Sequence, residues 1–241
     1  YATVNPAANA GLVEGMKGLF NPTDTISRQF KNGMMGMGVL GFDEINMSQS
    51  IKQFTTGSRT ATGGTTSAAV TSEGATTIAI TGAGASATVK AGDVFTVADC
   101  YAVNPQTRES AGSLFQFVAT VDVTLNGSGA GNITFAPMYS ASNALATVNS
   151  LPATSKAVTF VGAASSQYPQ NLVYHKDAIT FATADLMMPQ GVDMASRQVH
   201  NGISMRIVRQ YDINNDRMPC RIDVLYGYSV IRPQMAVRLW G

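Results

Sequence analysis

Few residues in this chain are equipped for chemistry, and their spacing limits what they can do. The 241 residues include two histidines, two cysteines and fifteen acids. Nucleophilic catalysis needs a Ser or Cys held beside a base, and no G-x-S-x-G turn or other motif gives His175 or His200 such a partner. His175 lies in Tyr174-His175-Lys176-Asp177, the setting of a solvated or hydrogen-bonded histidine. Asp43-Glu44 is the one adjacent acidic pair, and neighbours on a strand face opposite ways, which argues against a paired-carboxylate glycosidase site. Cys100 and Cys220 stand 120 residues apart with no CxxC, and two histidines do not make a finger-type zinc site. Both cysteines read as buried free thiols rather than as a disulfide. No catalytic residue, cofactor site or metal ligand is expected, and the chain does not read as an enzyme.

Two further groups of residues call for a chemical reading. Asp212, Asn214 and Asp216 occupy positions 1, 3 and 5 of a calcium-loop spacing, with Asp223 at position 12. Position 6 is Arg217 where such a loop needs glycine, and Pro219 and the flanking strand patterns oppose a helix–loop–helix. An Asx-rich turn between two strands is the expectation. Neither a P-loop nor G-x-G-x-x-G occurs, and Gly33-x-x-Gly36-x-Gly38 is a glycine-rich link. Arg206, Arg209, Arg217, Arg221, Arg232 and Arg238 crowd the C-terminal part. A guanidinium can grip phosphate or carboxylate in bidentate fashion. Strand alternation puts Arg206 and Arg209 on opposite faces, so no single phosphate-binding stripe forms. Pairing with carboxylates, within or between subunits, is favoured, and Arg206, Arg209, Arg217, Arg221 and Arg232 with Asp212 and Asp216 are the candidate subunit-interface residues.

Composition narrows the partners. Hydrophobic residues make up 45% and charged residues 13%, against about 25% charged in an ordinary soluble chain. So little charge suggests surface that another chain covers. A net charge of +1 lacks the cationic footprint of a non-specific nucleic-acid binder. No apolar run approaches the roughly 20 residues that span a bilayer, and no signal peptide is visible, so no membrane partner is expected. The chain opens at Tyr1 in what reads as mid-strand, and a fragment of a longer protein is the expectation.

The elements that must position these residues fall into three stretches. Residues 1–60 hold 9 of the 31 charges, residues 61–170 hold 8 and residues 171–241 hold 14. From Ala61 to Gly92, 26 of 32 residues are Ala, Gly, Ser or Thr, a composition shift that suggests a module inserted into a host domain. The first stretch mixes a short strand before Asn5-Pro6 with a helix whose Leu12, Met16, Leu19 and Phe20 share one face. Asp24 could cap a second helix carrying Ile26 and Phe30 and ending at Gly33, and Met34, Met35 and Met37 read as irregular core filling. The middle reads as all-β. Its strands are Thr77–Thr81, Val94–Ala98, an eleven-residue alternating run from Phe115 to Leu125 that returns as a hairpin through Asn126-Gly127 to Ile133 and Phe135, and Ala157–Val161. Several short strands with Gly-rich turns imply a small barrel or sandwich. Two alternating strands close the chain, one with Ile203, Met205, Ile207 and Arg209 and one with Cys220, Ile222, Val224 and Tyr226.

Three blocks are familiar. Asn171-Leu172-Val173-Tyr174-His175-Lys176-Asp177-Ala178, then Gly202-Ile203-Ser204-Met205-Arg206 with Arg209-Gln210-Tyr211-Asp212, then Cys220-Arg221-Ile222-Asp223-Val224-Leu225-Tyr226-Gly227 with Arg232-Pro233 resemble the coat proteins of short-tailed Salmonella-type phages. Asn5-Pro6 and Gly41-Phe42-Asp43-Glu44 are weaker matches upstream. The resemblance covers about 1–60 and 168–241.

It implies an α+β, mainly β chain with the Hong Kong 97-like capsid fold and an inserted all-β barrel, the I-domain or telokin-like domain. Residues 1–60 would be the first part of the apical domain and 61–167 the insert. Residues 168–215 would be the apical return and 216–241 the peripheral-domain strands. The chain would be the C-terminal portion of a longer major capsid protein, found in the virion and assembled in the host cytoplasm. Its partners would be copies of itself in hexamers and pentamers of an icosahedral shell, a scaffolding protein, a portal, packaged double-stranded DNA held non-specifically on the inner face, and a decoration protein. A β-rich tail, fibre or carbohydrate-binding module is the alternative that composition leaves open. The helical start and the Arg-rich closing strands weigh against it.

Overall fold

The computed structural model describes residues 1–16, 37–39 and 41–240. The expected helix from Asp24 to Gly33, the core positions Leu19 and Phe20, and Met34 and Met35 lie outside the described residues. Described elements form two compact units, Tyr1–Ile51 with Asn171–Leu239, and Lys52–Gln170 with Trp240.

The first unit opens with β1 (Ala2–Val4) and α1 (Pro6–Met16). Asn5 caps the helix as expected, its Oδ1 accepting the Ala8 N–H at 2.8 Å, while its own N–H donates to Asn171 Oδ1 at 2.8 Å. Pro6 costs nothing at the first helical position, where its missing N–H would have no helical acceptor. β2 (Met37–Val39) pairs antiparallel with β3 (Phe42–Met47), and β3 runs parallel to β1, with Ala2 opposite Ile45 and Val4 opposite Met47. Parallel neighbours need a crossover, and α1 lies in it. Ala2, Val4 and Ile45 are buried, with Ala8, Leu12, Phe42 and Val173 packed against them.

The second unit is all β among its described residues. Its strands are β4 (Gln53–Thr55), β5 (Thr65–Thr66), β6 (Ala75–Thr81), β7 (Thr88–Val89), β8 (Val94–Val103), β9 (Ser110–Val118), β10 (Val123–Thr124), β11 (Gly131–Met138), β12 (Val158–Phe160) and the first residues of β13 (Gln167–Tyr174). Two antiparallel sheets, β11-β6-β5 and β12-β8-β9, carry the core. Single bridges join them at both sides, Thr65 to Ala157 and Ala119 to Phe135, so the pairings run round in a ring. Inside lie Phe95, Phe117, Phe135 and Phe160, with Ile78, Ile80, Ile133, Val97, Val148 and Val158, all buried. Ring centroids of Phe95 and Phe117 are 5.3 Å apart, and Phe135 meets Phe117 edge-on at 5.2 Å. This unit starts at Lys52 and takes in Arg59.

Two local expectations differ from the structure. The alternating run from Phe115 to Leu125 is not one strand. β9 leaves the β8 ladder at Val118, Ala119 bridges to Phe135, and Val123–Thr124 pair with β7. Closing the ring requires the chain to change partners here, and the bend leaves Val121 at 51% exposure while Leu125 returns to the core at 2%. Nor is β11 the return arm of a regular hairpin. Asn126 does make the turn, its Oδ1 accepting the N–H groups of Ser128 and Ala130, but the ladder of β11 is to β6.

The chain then builds a second sheet of the first unit from β14 (Ile179–Ala184), β15 (Met194–His200), β16 (Ile203–Arg209) and β17 (Cys220–Val230), in the order β14-β17-β16-β15 and antiparallel throughout. A short 3-10 turn at Pro233–Met235 leads into β18 (Ala236–Trp240), next to β13. No helix among the described residues is long and apolar enough to cross a membrane.

Candidate assembly surface

The four-stranded sheet brings together the residues that the sequence singled out. Directly opposed residues of an antiparallel pair share a face. On one face β17 presents Cys220, Ile222, Val224, Tyr226, Tyr228 and Val230. Their partners across the ladder are Arg209, Ile207 and Met205 on β16, and Thr183, Phe181 and Ile179 on β14. Within this unit most of this apolar face is uncovered: Phe181, Met205, Ile222, Tyr226, Tyr228 and Val230 are all exposed, Tyr228 to 77%. Phe181 and Tyr226 stack with ring centroids 6.0 Å apart. Water against so much contiguous apolar area is costly, at about 25 cal/mol per Å². Cys220 belongs to this face and is exposed, which corrects the expectation of two buried thiols. Burial of a strand residue depends on what covers the sheet, and no described residue of this unit covers Cys220. Cys100, by contrast, is buried, and its burial, with the Asp99 charge adding, pushes the thiol up to about 11.

The opposite face carries an ion cluster. Arg206 and Arg221 converge on Asp223, with Nη2 of Arg206 at 2.5 Å and Nε of Arg221 at 2.8 Å from its carboxylate. Hydrogen bonding from Arg206, then from Arg221, holds the Asp223 carboxyl below the usual aspartate range. Arg209, on the apolar face as its alternation requires, pairs with Asp193 at 2.9 Å, and Arg197 lies 3.4 Å from Asp185. Thus Arg206, Arg209 and Arg221 each meet a carboxylate of their own chain.

The remaining candidates lie in loops. Asp212 and Arg217 exchange backbone hydrogen bonds across the β16–β17 turn at 2.8 and 3.3 Å. The carboxylate of Asp212 accepts Asn215 Nδ2 at 2.8 Å and Asn214 N–H at 3.0 Å, and these bonds, Asn215's first, lower its pKa. Asp216 accepts the Tyr211 hydroxyl at 2.8 Å, which raises that phenol. These two carboxylates and Asp223 are therefore engaged by separate partners, an Asx-rich turn rather than a calcium loop. No cluster of three or more His, Cys, Asp or Glu among the described residues is arranged to hold a metal. Arg232 follows β17 with an exposed side chain, its N–H donating to Ala178 O at 3.3 Å. His175 and His200 are both exposed, His175 with Asp177 at 3.4 Å.

Sequence reasoning missed the best-buried charges. Arg59 and Asp93 are 0% exposed and 3.2 Å apart. Arg59 also donates to Gly162 O at 3.0 Å and Val161 O at 2.8 Å, and its guanidinium carbon sits 4.8 Å from the Phe160 ring centroid. Asp93 accepts the N–H groups of Gly57 at 3.1 Å and Lys90 at 2.8 Å. No sequence signal distinguishes this pair, because Arg59 and Asp93 lie 34 residues apart and only the fold shows that both are buried.

The family described as P22 coat protein, gene protein 5, matches residues 1–241. The chain is also 26% identical over 163 residues to a protein named major capsid protein from Acyrthosiphon pisum secondary endosymbiont phage 1, covering 64% of this chain and 38% of that relative. The chain thus spans well under half the length of the curated relative it matches, and with the family match over residues 1–241 it belongs to the P22 coat protein family.

Proposed function

We propose that this chain is the shell-forming part of a phage major capsid protein. Copies assemble into an icosahedral shell in hexamers and pentamers, enclosing double-stranded DNA that is contacted without sequence preference. One observation carries the reading beyond family membership: the uncovered apolar face of β14, β17 and β16, a contiguous exposed patch of the kind that marks a protein–protein interaction site. In this reading residues 61–167 are an inserted β-barrel in a Hong Kong 97-like host, the ring of pairings and the Phe core making it a local folding unit. The flanking portions are apical (1–60 and 168–215) and peripheral (216–241) parts, with β16 and β17 paired across that last division. The ion pairs of Arg206, Arg209 and Arg221 fix the sheet that neighbours pack against; Arg217 and Arg232 are exposed for contacts between subunits, while Asp212 and Asp216 shape the turn through Asn214, Asn215 and Tyr211. A scaffolding protein, a portal and a decoration protein are its further partners, and its chemistry is association rather than catalysis.

Negative-stain electron microscopy of material from the native source, with intact mass on the same sample, tests this. Closed shells containing this sequence in a heavier polypeptide are the expected result. Small discrete particles of 25.3 kDa chains would overturn it.

A further inference from the structure

Asparagine stands before glycine three times in the chain, at Asn32-Gly33, Asn126-Gly127 and Asn201-Gly202. Such an asparagine is open to attack on its own side chain, because no Cβ shields the next backbone nitrogen. Asn32 lies outside the described residues. The other two form turns of opposite construction. Asn126 is fastened. Its Oδ1 accepts the Ser128 N–H at 3.0 Å, the Ser128 hydroxyl at 2.8 Å and the Ala130 N–H at 2.9 Å. Its carbonyl accepts the N–H groups of Ser86 at 2.8 Å and Gly129 at 2.9 Å. Asn201 and Gly202 are the two-residue link between β15 and β16, with His200 opposite Ile203. Their φ values of 49° and 77° are both positive, as a type I′ turn requires. Both residues are exposed. Neither the Asn201 side-chain amide nor the Gly202 N–H has a hydrogen-bond partner among the described residues. A Cβ placed on Gly202 would meet nothing within 4 Å. The tip is held from outside the hairpin by the Thr183 hydroxyl of β14, which donates to Gly202 O at 2.6 Å.

We infer that Asn201 is a site of spontaneous covalent modification, losing its side-chain amide to its own backbone, and that the Thr183 hydroxyl sets the pace. The Gly202 nitrogen gives up its proton and attacks Cγ of Asn201. The new N–Cγ bond closes a five-membered imide as the Cγ–Nδ2 bond breaks, and Nδ2 leaves with the proton as ammonia. Water then opens the imide at either carbonyl, giving aspartate or isoaspartate. The step consumes only water. It requires the turn to leave its left-handed conformation briefly, so that Cγ can swing over the Gly202 nitrogen. Local opening of this kind costs least at an exposed hairpin tip. The Thr183 bond opposes it at Gly202, and the bonds to Ser128, Ala130, Ser86 and Gly129 oppose it at Asn126. Each event puts a carboxylate where a neutral amide stood and lowers the net charge of +1 by one. Isoaspartate also adds a carbon to the backbone of a two-residue link, which the His200–Ile203 register does not accommodate.

The test incubates the intact, folded polypeptide in mildly alkaline buffer and follows its peptides by mass spectrometry, with an isoaspartate-specific methyltransferase as second readout. The peptide holding Asn201 is expected to gain about one dalton and to accept methyl groups. It should do so about tenfold or more faster than the peptide holding Asn126, and the two should converge in denaturant. Thr183→Val removes the hydroxyl and keeps the shape. It is expected to speed conversion at Asn201 about threefold and to leave Asn126 unchanged. Folded wild-type chain in which Asn126 converts as fast as Asn201, or in which Asn201 converts only after denaturation, would overturn the inference. An unchanged rate at Asn201 in a Thr183→Val chain that unfolds like wild type would overturn the part given to Thr183.

Discussion

Arg59 and Asp93 show what a single residue pair does in a charge-poor unit. Removing water from both ions is costly, and the pair persists because each ion has further partners: two carbonyls and a ring face for Arg59, two N–H groups for Asp93. Arg59→Met leaves Asp93 buried without its counter-ion and is expected to cost about 3–5 kcal/mol, read from chemical unfolding. Lys156→Ala, which breaks the exposed ion pair to Asp99, is expected to leave the unfolding curve unchanged. Asp223 gives a pH dependence with a definite sign. Its folded-state pKa is depressed, first by Arg206 and then by Arg221. The stability it contributes is complete above the unfolded aspartate value, near about 3.9, and is lost as pH falls through the lower folded value. Acid titration of unfolding should therefore show a loss beginning below about pH 4 that Arg206→Met reduces. The two thiols separate by burial. A thiol reagent near pH 8 should modify Cys220 and spare Cys100 in the folded chain, and modify both in denaturant.

At the scale of elements, the ring of strands depends on close backbone approaches that side chains would block. Gly64, between Arg59 and β5, has φ of 75°, and a Cβ there would lie 1.9 Å from Thr81 O at the end of β6. Gly64→Ala is expected to destabilise by at least about 2 kcal/mol, whereas Gly127→Ala, with nothing within 4 Å of the added carbon, should be nearly neutral by the same thermal melt. The partner exchange after Val118 belongs here too. Alternation from Phe115 to Leu125 correctly marks which side chains can face inward, yet Val121 is exposed, because period-two pattern is blind to the point where a strand must leave one neighbour for another.

For the whole molecule, the uncovered face of β14, β17 and β16 is the main exposed apolar surface among the described residues. The 241-residue polypeptide should bind an apolar dye and self-associate, and Ile222→Lys with Tyr228→Lys should abolish both while changing stability by less than about 0.5 kcal/mol per site. Dye fluorescence and light scattering read the two effects. Retained dye binding in the double variant would show that the exposed apolar area lies elsewhere.

Short-range rules determined much of this protein from the sequence. They gave the Asn5 cap and the Pro6 start of α1, the inward Ile78 and Ile80, the Asn126 turn and the opposed faces of Arg206 and Arg209, because each depends on neighbours within a few residues or on a fixed period of two. The C-terminal blocks also carried the family. Only tertiary structure decided the rest. It chose β6 rather than β9 as the partner of β11, and it buried Arg59 beside Asp93, which lies 3.2 Å away in space but many residues along the chain. It also matched Arg206 to Asp223 across a ladder and left the apolar face of β17 open. Partner choice and coverage depend on how distant segments meet, and the alternation in β17 is the same whether its apolar side is buried by its own chain or waits for another.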